Sequence, residues 1–163
     1  MGRWRPPQQP GSAYITAAGF EQLQSELTAL WERRREVVKA LAAAAAEGDR
    51  SENAEYIYRK KELGGIDYRI RYLQKRLPNL TIVRSDARRS GVYFGATVTL
   101  EDPAGDSVTY TIVGPDETDA SQGRISIDSP LARRLLGKNV DDDIERPDKT
   151  LLTIVAIDYA ALG

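Results

Sequence analysis

The first half of the chain repeats apolar residues at alternating spacings of three and four, the pattern of one buried helix face. The first stretch contains Phe20, Leu23, Leu27, Leu30, Val37, Leu41 and Ala44, with Arg34 in one seam position. The second stretch contains Tyr56, Leu63, Ile66, Ile70, Leu73 and Leu77, and Pro78 ends it. The pattern predicts an antiparallel coiled-coil hairpin that turns near residues 48–50, with half of a four-helix bundle as the alternative.

The second half alternates apolar and polar residues instead, as strands of a half-buried sheet do. Its strand-like segments are "VYFGATVTLED", "DSVTYTIVG", "GRISIDS" and "KTLLTIVAIDY", and "PLARRLLG" is typical of a short helix. We therefore predict an α+β fold, in which the hairpin precedes an antiparallel sheet with one short helix. The expected divisions are a disordered tail at 1–13, the coiled coil at 14–78, a linker at 79–90 and the β domain at 91–163.

Composition limits the chemistry that this chain of 163 residues can perform, because it contains neither cysteine nor histidine. Thiolate metal sites and the usual general base near neutral pH are thereby excluded. No apolar run approaches the roughly 20 residues of a membrane span, and the first residues lack a signal-peptide core. We expect a cytoplasmic protein, and a monomer, because the hairpin covers its own seam.

The net charge of −1 hides an uneven distribution along the chain. Residues 47–55 have a net charge of −3, residues 56–77 of +5, and residues 78–163 of −5. An acidic segment therefore lies at the turn of a hairpin whose second helix is strongly basic.

The acidic segment is "EGDRSENAEY", and two explanations of it remain open. Asp49 and Glu52 have the spacing of a capping box at the start of the second helix. Their carboxylates could equally converge on one hard cation such as Mg²⁺. Two carboxylates alone make an incomplete site, so another molecule would have to supply the remaining ligands.

A basic shaft is predicted along both helices beside this turn. It consists of Arg33, Arg34, Arg35 and Lys39 on the first helix and Arg59, Lys60 and Lys61 on the second. A solvated coiled-coil face is one explanation, and contact with nucleic-acid phosphates is the other.

Several motifs in this order resemble the Gre transcript-cleavage factors of bacterial RNA polymerase, most closely the GreB branch. They are "ITAAGFEQLQSELTALW", "GDRSENAEY", "KK-L--ID-R-RYL-KRL", "FGATVTLED", "YTIVGPDE" and "ISIDSPLARRLLGK". The resemblance covers about residues 14–160. It implies a coiled coil followed by an FKBP-like domain that docks on RNA polymerase, with the coiled coil inserted through the secondary channel.

The resemblance also implies roles for individual residues. Asp49 and Glu52 would help to hold the weakly bound second Mg²⁺ of the polymerase, with Ser51 and Asn53 in support, so that the polymerase cleaves backtracked RNA near its 3′ end. The protein itself would be no enzyme and would bind no metal stably when free. The basic shaft would contact the RNA 3′ segment. The residues expected to dock on the polymerase are Asp128, Ser129 and Pro130.

Four residues depart from the pattern of the family: Gly64 and Gly65 within the second helix, Asp141 in place of a glycine, and Ala43. The glycine pair marks either a bend or a close contact. Two other functions are alternatives. A prolyl isomerase would need a pocket densely lined by aromatic residues, and a channel-plugging inhibitor would not need the Asp49 and Glu52 pair.

Overall fold

The structure is a computed structural model that describes residues 11–48, 53–84 and 90–160. It divides into two compact units. The helical unit comprises residues 18–80, and the sheet unit comprises the residues before 18 and from 81 onward. The predicted α+β class, with a helical hairpin before the sheet, is confirmed.

Two long helices form the helical unit: α1 (Ala17–Ala45) and α2 (Ala54–Arg76). A 3-10 turn that contains Pro78 follows α2. Val37 of α1 packs with Ile66 and Ile70 of α2 in a buried cluster, as the heptad pattern predicts. The only other α-helix in the described part of the chain has six residues, so the hairpin is not half of a four-helix bundle.

The glycine pair in α2 makes no close contact. Residues 54–76 form one continuous helix, and a Cβ atom built on Gly64 or Gly65 would meet nothing within 4 Å. The expectation of a close contact at this pair is therefore wrong for the described residues of the chain.

The sheet unit contains a five-stranded sheet in the order β5-β4-β3-β7-β6. Its strands are β3 (Ala96–Glu101), β4 (Ser107–Val113), β5 (Arg124–Ser126), β6 (Asp143–Glu145) and β7 (Leu151–Tyr159). The short helix α3 (Pro130–Leu135) follows β5. The main core of the unit contains Val92, Val98, Leu100, Ile112, Leu135 and Ile154, all fully buried.

One strand pair differs from the predicted antiparallel arrangement, because β4 and β5 are parallel and the sheet is therefore mixed. Two 3-10 turns, Pro115–Glu117 and Ala120–Gln122, lie in the connection between these strands. This connection brings the chain back alongside Thr111, so β5 pairs in parallel with the last three residues of β4, Thr111–Val113.

A short pair of parallel strands shows that the domain boundaries differ from the expected ones. Strand β1 (Tyr14–Ile15) pairs with β2 (Thr81–Ile82), and both belong to the sheet unit. The sequence pattern places residues 14–16 in the coiled coil and residues 81–82 in the linker, and both placements are wrong. The physical reason for the difference is backbone pairing together with the complete burial of Ile15.

Residues 11–13 of the predicted tail are placed by the structure, whereas the rest of that tail lies outside the described residues. Within the described ranges, no helix is both long enough and apolar enough to cross a membrane.

Candidate functional site

The connection between α1 and α2 carries the predicted acidic site. Asp49, Ser51 and Glu52 lie outside the described residues, so their predicted roles stay predictions. Gly48, the last described residue before them, has a φ of 133°, a backbone conformation that favours glycine. The chain therefore leaves α1 through a turn that depends on this glycine.

Asn53 lies at the other side of the connection and forms hydrogen bonds through both the oxygen and the nitrogen of its side-chain amide. Its Oδ1 accepts the N–H of Tyr56 at 3.0 Å, which makes Asn53 the N-cap of α2. Its Nδ2 donates to the carbonyl of Ala44 at 2.7 Å. Asn53 thus links the last turn of α1 to the first turn of α2.

The capping box predicted at Asp49 and Glu52 is therefore wrong, because α2 begins at Ala54 and is capped by Asn53. The only acidic residue in the first turn of α2 is Glu55. With the cap assigned elsewhere, capping no longer explains why Asp49 and Glu52 are acidic.

Part of the basic shaft is neutralised by a charge network around Glu62. Arg33 Nη2 lies 2.7 Å from Glu62 Oε1, and Arg59 Nη1 lies 3.0 Å from Glu62 Oε2. Arg33 also pairs with Glu36, and Arg59 with Glu55. The hydrogen bond from Arg33 lowers the pKa of Glu62, and Arg59 adds to this effect while partial desolvation opposes it.

Arg34 is also paired, since its Nε lies 2.7 Å from Asp67 Oδ1 across the hairpin. This contact explains how a cation occupies the seam position between Leu30 and Val37. Three members of the predicted shaft, Arg33, Arg34 and Arg59, therefore stabilise the hairpin itself.

The remaining four members of the shaft are exposed and make no ion pair with any residue that the structure describes. They are Arg35, Lys39, Lys60 and Lys61. These four cations are the part of the shaft that can meet phosphates.

Sequence reasoning missed a set of exposed tyrosines on α2. Tyr58 is 60% exposed and Tyr68 is 70% exposed, and Tyr72 lies one turn after Tyr68. The Arg59 guanidinium lies 5.5 Å from the ring centroid of Tyr58. Proteins that bind single-stranded nucleic acid commonly use exposed aromatic rings beside cations to stack bases. Their exposure could have been predicted from the sequence, because these tyrosines fall outside the heptad seam.

The residues predicted to dock on the polymerase, Asp128, Ser129 and Pro130, lie together where β5 gives way to α3. Ser129 is the N-cap of α3, and its Oγ accepts the N–H of Ala132 at 3.2 Å. Pro130 takes the first helical position and is exposed. The N–H of Asp128 donates to Ser126 Oγ at 3.0 Å. These local hydrogen bonds give the three residues a defined conformation.

An N-terminal strap, residues 11–16, lies against this region. The N–H of Ser12 donates to Asp128 Oδ2 at 2.9 Å. The N–H of Thr16 donates to Glu117 Oε2 at 2.7 Å, and the Thr16 hydroxyl donates to Glu117 Oε1. Sequence reasoning did not find the strap, because backbone donors leave no pattern in the sequence.

The described residues contain no group of three or more acidic side chains placed to hold a metal ion. A surface cleft of about 500 Å³ lies beside β6. Its lining consists of Arg134, Lys138, Asp143, Ile144, Glu145, Arg146, Pro147 and Lys149. No aromatic residue lines this cleft, so it lacks the lining that the prolyl isomerase alternative requires.

Two family profiles match most of the chain. The profile described as "Transcription elongation factor, N-terminal" matches residues 13–82, and that described as "Transcription elongation factor, GreA/GreB, C-term" matches residues 87–159. The chain is also similar to curated proteins and to solved structures.

The chain is similar to the transcription elongation factor GreB of Xanthomonas axonopodis pv. citri. The two are 56% identical over 168 aligned residues, and the alignment covers 99% of this chain and 100% of that protein. GreB of Pseudomonas aeruginosa is 54% identical over 146 residues, which cover 88% of this chain and 87% of that protein. The crystal structure of the GreA factor homolog Gfh1 of Thermus thermophilus is 29% identical, covers 90% of this chain and 99% of its own, and has a TM-score of 0.43.

Proposed function

Because the chain belongs to the GreA/GreB family of transcription elongation factors and is GreB-like, we propose that it binds RNA polymerase and stimulates cleavage of backtracked RNA. In this proposal the helical hairpin enters the secondary channel of the polymerase. The phosphodiester bond is hydrolysed near the RNA 3′ end by the polymerase, and this protein is not itself the enzyme.

The observation that carries the proposal is the assignment of the N-cap of α2 to Asn53. Because Asn53 caps α2, a cap on this helix does not account for the acidic character of Asp49 and Glu52, two residues that precede it in the sequence. Their carboxylates are hard oxygen donors, which fit Mg²⁺. They would hold the second Mg²⁺ of the polymerase active site, whose chemistry is to polarise the phosphate and activate water.

Two carboxylates fill only part of an octahedral coordination shell. The polymerase and the RNA phosphate would therefore supply the other ligands, and the free protein would hold no metal stably. Ser51 would support the two acids as a polar neighbour. Asn53 would act differently from the expectation, because both ends of its amide are already occupied within the hairpin.

The unpaired cations of the shaft support contact with the RNA 3′ segment. Arg35, Lys39, Lys60 and Lys61 are exposed, and each can approach a phosphate without breaking an ion pair of the described residues. The sheet unit would dock on the polymerase through Asp128, Ser129 and Pro130. We place the protein in the cytoplasm, as a monomer, because that is where bacterial polymerase works and because the hairpin seam is filled from within one chain.

To test the proposal, the purified protein is added to stalled, backtracked elongation complexes in the presence of Mg²⁺. We expect shortened RNA with the wild-type protein, and almost none with Asp49→Asn or Glu52→Gln, while polymerase binding is retained. The matched controls are Glu47→Gln and Glu55→Gln, which remove neighbouring acids of the same segment and should leave cleavage largely intact.

Binding without any shortening of the RNA would contradict the proposal and would instead support an inhibitor that occupies the channel. Equal losses of cleavage with all four variants would show that total negative charge matters, and not the Asp49 and Glu52 pair.

A further inference from the structure

The N-terminal strap is tightly fitted to the surface that carries Asp128. A Cβ atom on Gly11 would lie 2.9 Å from Pro115 Cγ and 3.3 Å from Asp128 Oδ2. A Cβ atom on Gly114 would lie 1.9 Å from the carbonyl oxygen of Tyr14. The backbone of the strap is therefore in direct contact with the sheet unit at two places.

The strap is also fixed at its far end. The Glu117 carboxylate accepts hydrogen bonds from the N–H and hydroxyl of Thr16 and from the N–H of Gly114, the last at 3.0 Å. Ile15, next to Thr16, is completely buried. These contacts hold the backbone donor of Ser12 in one position.

Asp128 has two carboxylate oxygens with different surroundings. Oδ2 accepts the Ser12 N–H at 2.9 Å. Oδ1 accepts no hydrogen bond from the residues that the structure describes. An ionised carboxylate accepts hydrogen bonds on both oxygens. One oxygen is thus anchored within the sheet unit, and the other can accept a donor from outside.

We propose that the N-terminal strap is part of the polymerase-docking surface, in which the Ser12 N–H orients Asp128 so that Oδ1 meets a cationic side chain of RNA polymerase. Ser12 is then a positioning residue and Asp128 the contact residue. This inference rests on the proposed binding to RNA polymerase. The partner group is an arginine or a lysine, because a half-buried carboxylate with a free oxygen is matched by a charged donor.

The reason for an effect on affinity is preorganisation. If the Ser12 N–H is removed, the Asp128 side chain gains rotamers in the free protein and must be ordered on binding. The expected result is an increase of about 2- to 10-fold in the Kd for polymerase, the usual range for ordering one side chain.

The experiment measures the Kd of full-length variants for RNA polymerase core enzyme. Ser12→Pro removes the backbone donor, and Ser12→Ala is the matched control that keeps it. We expect weaker binding with Ser12→Pro and unchanged binding with Ser12→Ala. Asp128→Glu is a second test that does not alter the strap, since its longer side chain misplaces the carboxylate while keeping the charge. It should weaken binding to a similar degree.

A double-mutant cycle separates positioning from a general effect on folding. In an Asp128→Ala background, Ser12→Pro should cause no further loss of affinity, because the residue that it positions is gone. An equal additional loss in that background would overturn the inference, and so would unchanged binding by both Ser12→Pro and Asp128→Glu. If the wild-type protein does not bind polymerase at all, the proposed function itself is wrong.

Discussion

At the scale of single residues, Asn53 shows how one side chain can organise a connection. It caps α2 and also donates to the end of α1, at 2.7 Å from the Ala44 carbonyl oxygen. The amide supplies the acceptor for one contact and the donor for the other on two separate atoms, Oδ1 and Nδ2. Asp, Ser and Asn are nearly equivalent N-caps, and the segment contains all three. Sequence reasoning chose the wrong one, because the deciding partner is on the other helix.

Asn53→Ala should lower the free energy of unfolding by about 1 to 2 kcal/mol, because it removes the cap of α2 and the link to α1. Asn53→Asp should cost less, since it keeps the acceptor for the N–H of Tyr56 and removes only the donor. Urea unfolding followed by far-ultraviolet circular dichroism measures both. An Asp variant less stable than the Ala variant would contradict the assignment of the cap.

Glu62 makes the stability of the hairpin depend on pH. Its pKa in the folded protein is lowered below the ordinary value of 4.5, chiefly by the hydrogen bond from Arg33. Because the pKa is lowered in the folded state, the stabilisation that ionised Glu62 gains from Arg33 and Arg59 is complete above pH 4.5. It is lost as the pH falls through the folded pKa. The difference in Tm between wild type and Glu62→Gln should therefore shrink as the pH falls below 4.5. A difference that does not change with pH would contradict this prediction.

At the scale of elements, the two long helices could be predicted from the sequence because their heptad pattern persists over many turns. The pairing of β1 with β2 could not. Each strand has two residues, too few to show an alternation, and the partners are far apart in the chain. The parallel pair of β4 and β5 was missed for a related reason, since strand direction depends on the connection between strands and not on their composition.

The departure at Asp141 has a local explanation. Asp141 has a φ of 75°, and its N–H donates to the carbonyl of Ile154 at 2.8 Å. Glycine adopts this left-handed conformation readily, and Asp is among the few other residues that tolerate it. The replacement therefore keeps the turn before β6.

The glycine pair of α2 should be a weak point in that helix. Gly64→Ala and Gly65→Ala should each raise the free energy of unfolding by up to about 1 kcal/mol, because a methyl group meets no obstacle at either site. Gly123→Ala is the opposite case, since its φ is 68° and its Cβ would lie 2.5 Å from the Thr109 carbonyl oxygen. Thermal unfolding should show higher Tm values for the first two variants and a lower value for the third. A loss of stability at both helix positions would show that the glycines serve packing.

At the scale of the whole molecule, charge is divided by role. Arg33, Arg34 and Arg59 form ion pairs within the hairpin, whereas Arg35, Lys39, Lys60 and Lys61 are the cations that we propose to contact RNA. A variant with Arg35, Lys39, Lys60 and Lys61 all changed to Gln should keep its Tm but stimulate cleavage less. The salt dependence of this stimulation should weaken by about 0.7 in log–log slope for each phosphate that the variant no longer neutralises.

The matched control for that variant is Arg33→Gln with Glu62→Gln, which removes an ion pair and leaves the net charge unchanged. It should lower the Tm and leave the salt dependence as it is. If the fourfold variant and this control behave alike, the exposed cations have no special role.

The pairing of β1 with β2 has a consequence for how such proteins can be recombined. Strand β1 ends at Ile15, shortly before the helical unit, and β2 begins at Thr81, directly after it, and these two strands lie side by side. The helical unit is therefore an insertion between neighbouring strands, with its entry and exit a few ångströms apart. A hairpin from a relative could replace residues 18–80 without rearranging the host sheet. Chimaeras cut at these two points should fold, so that the acidic segment and the proposed docking surface could be inherited or engineered independently.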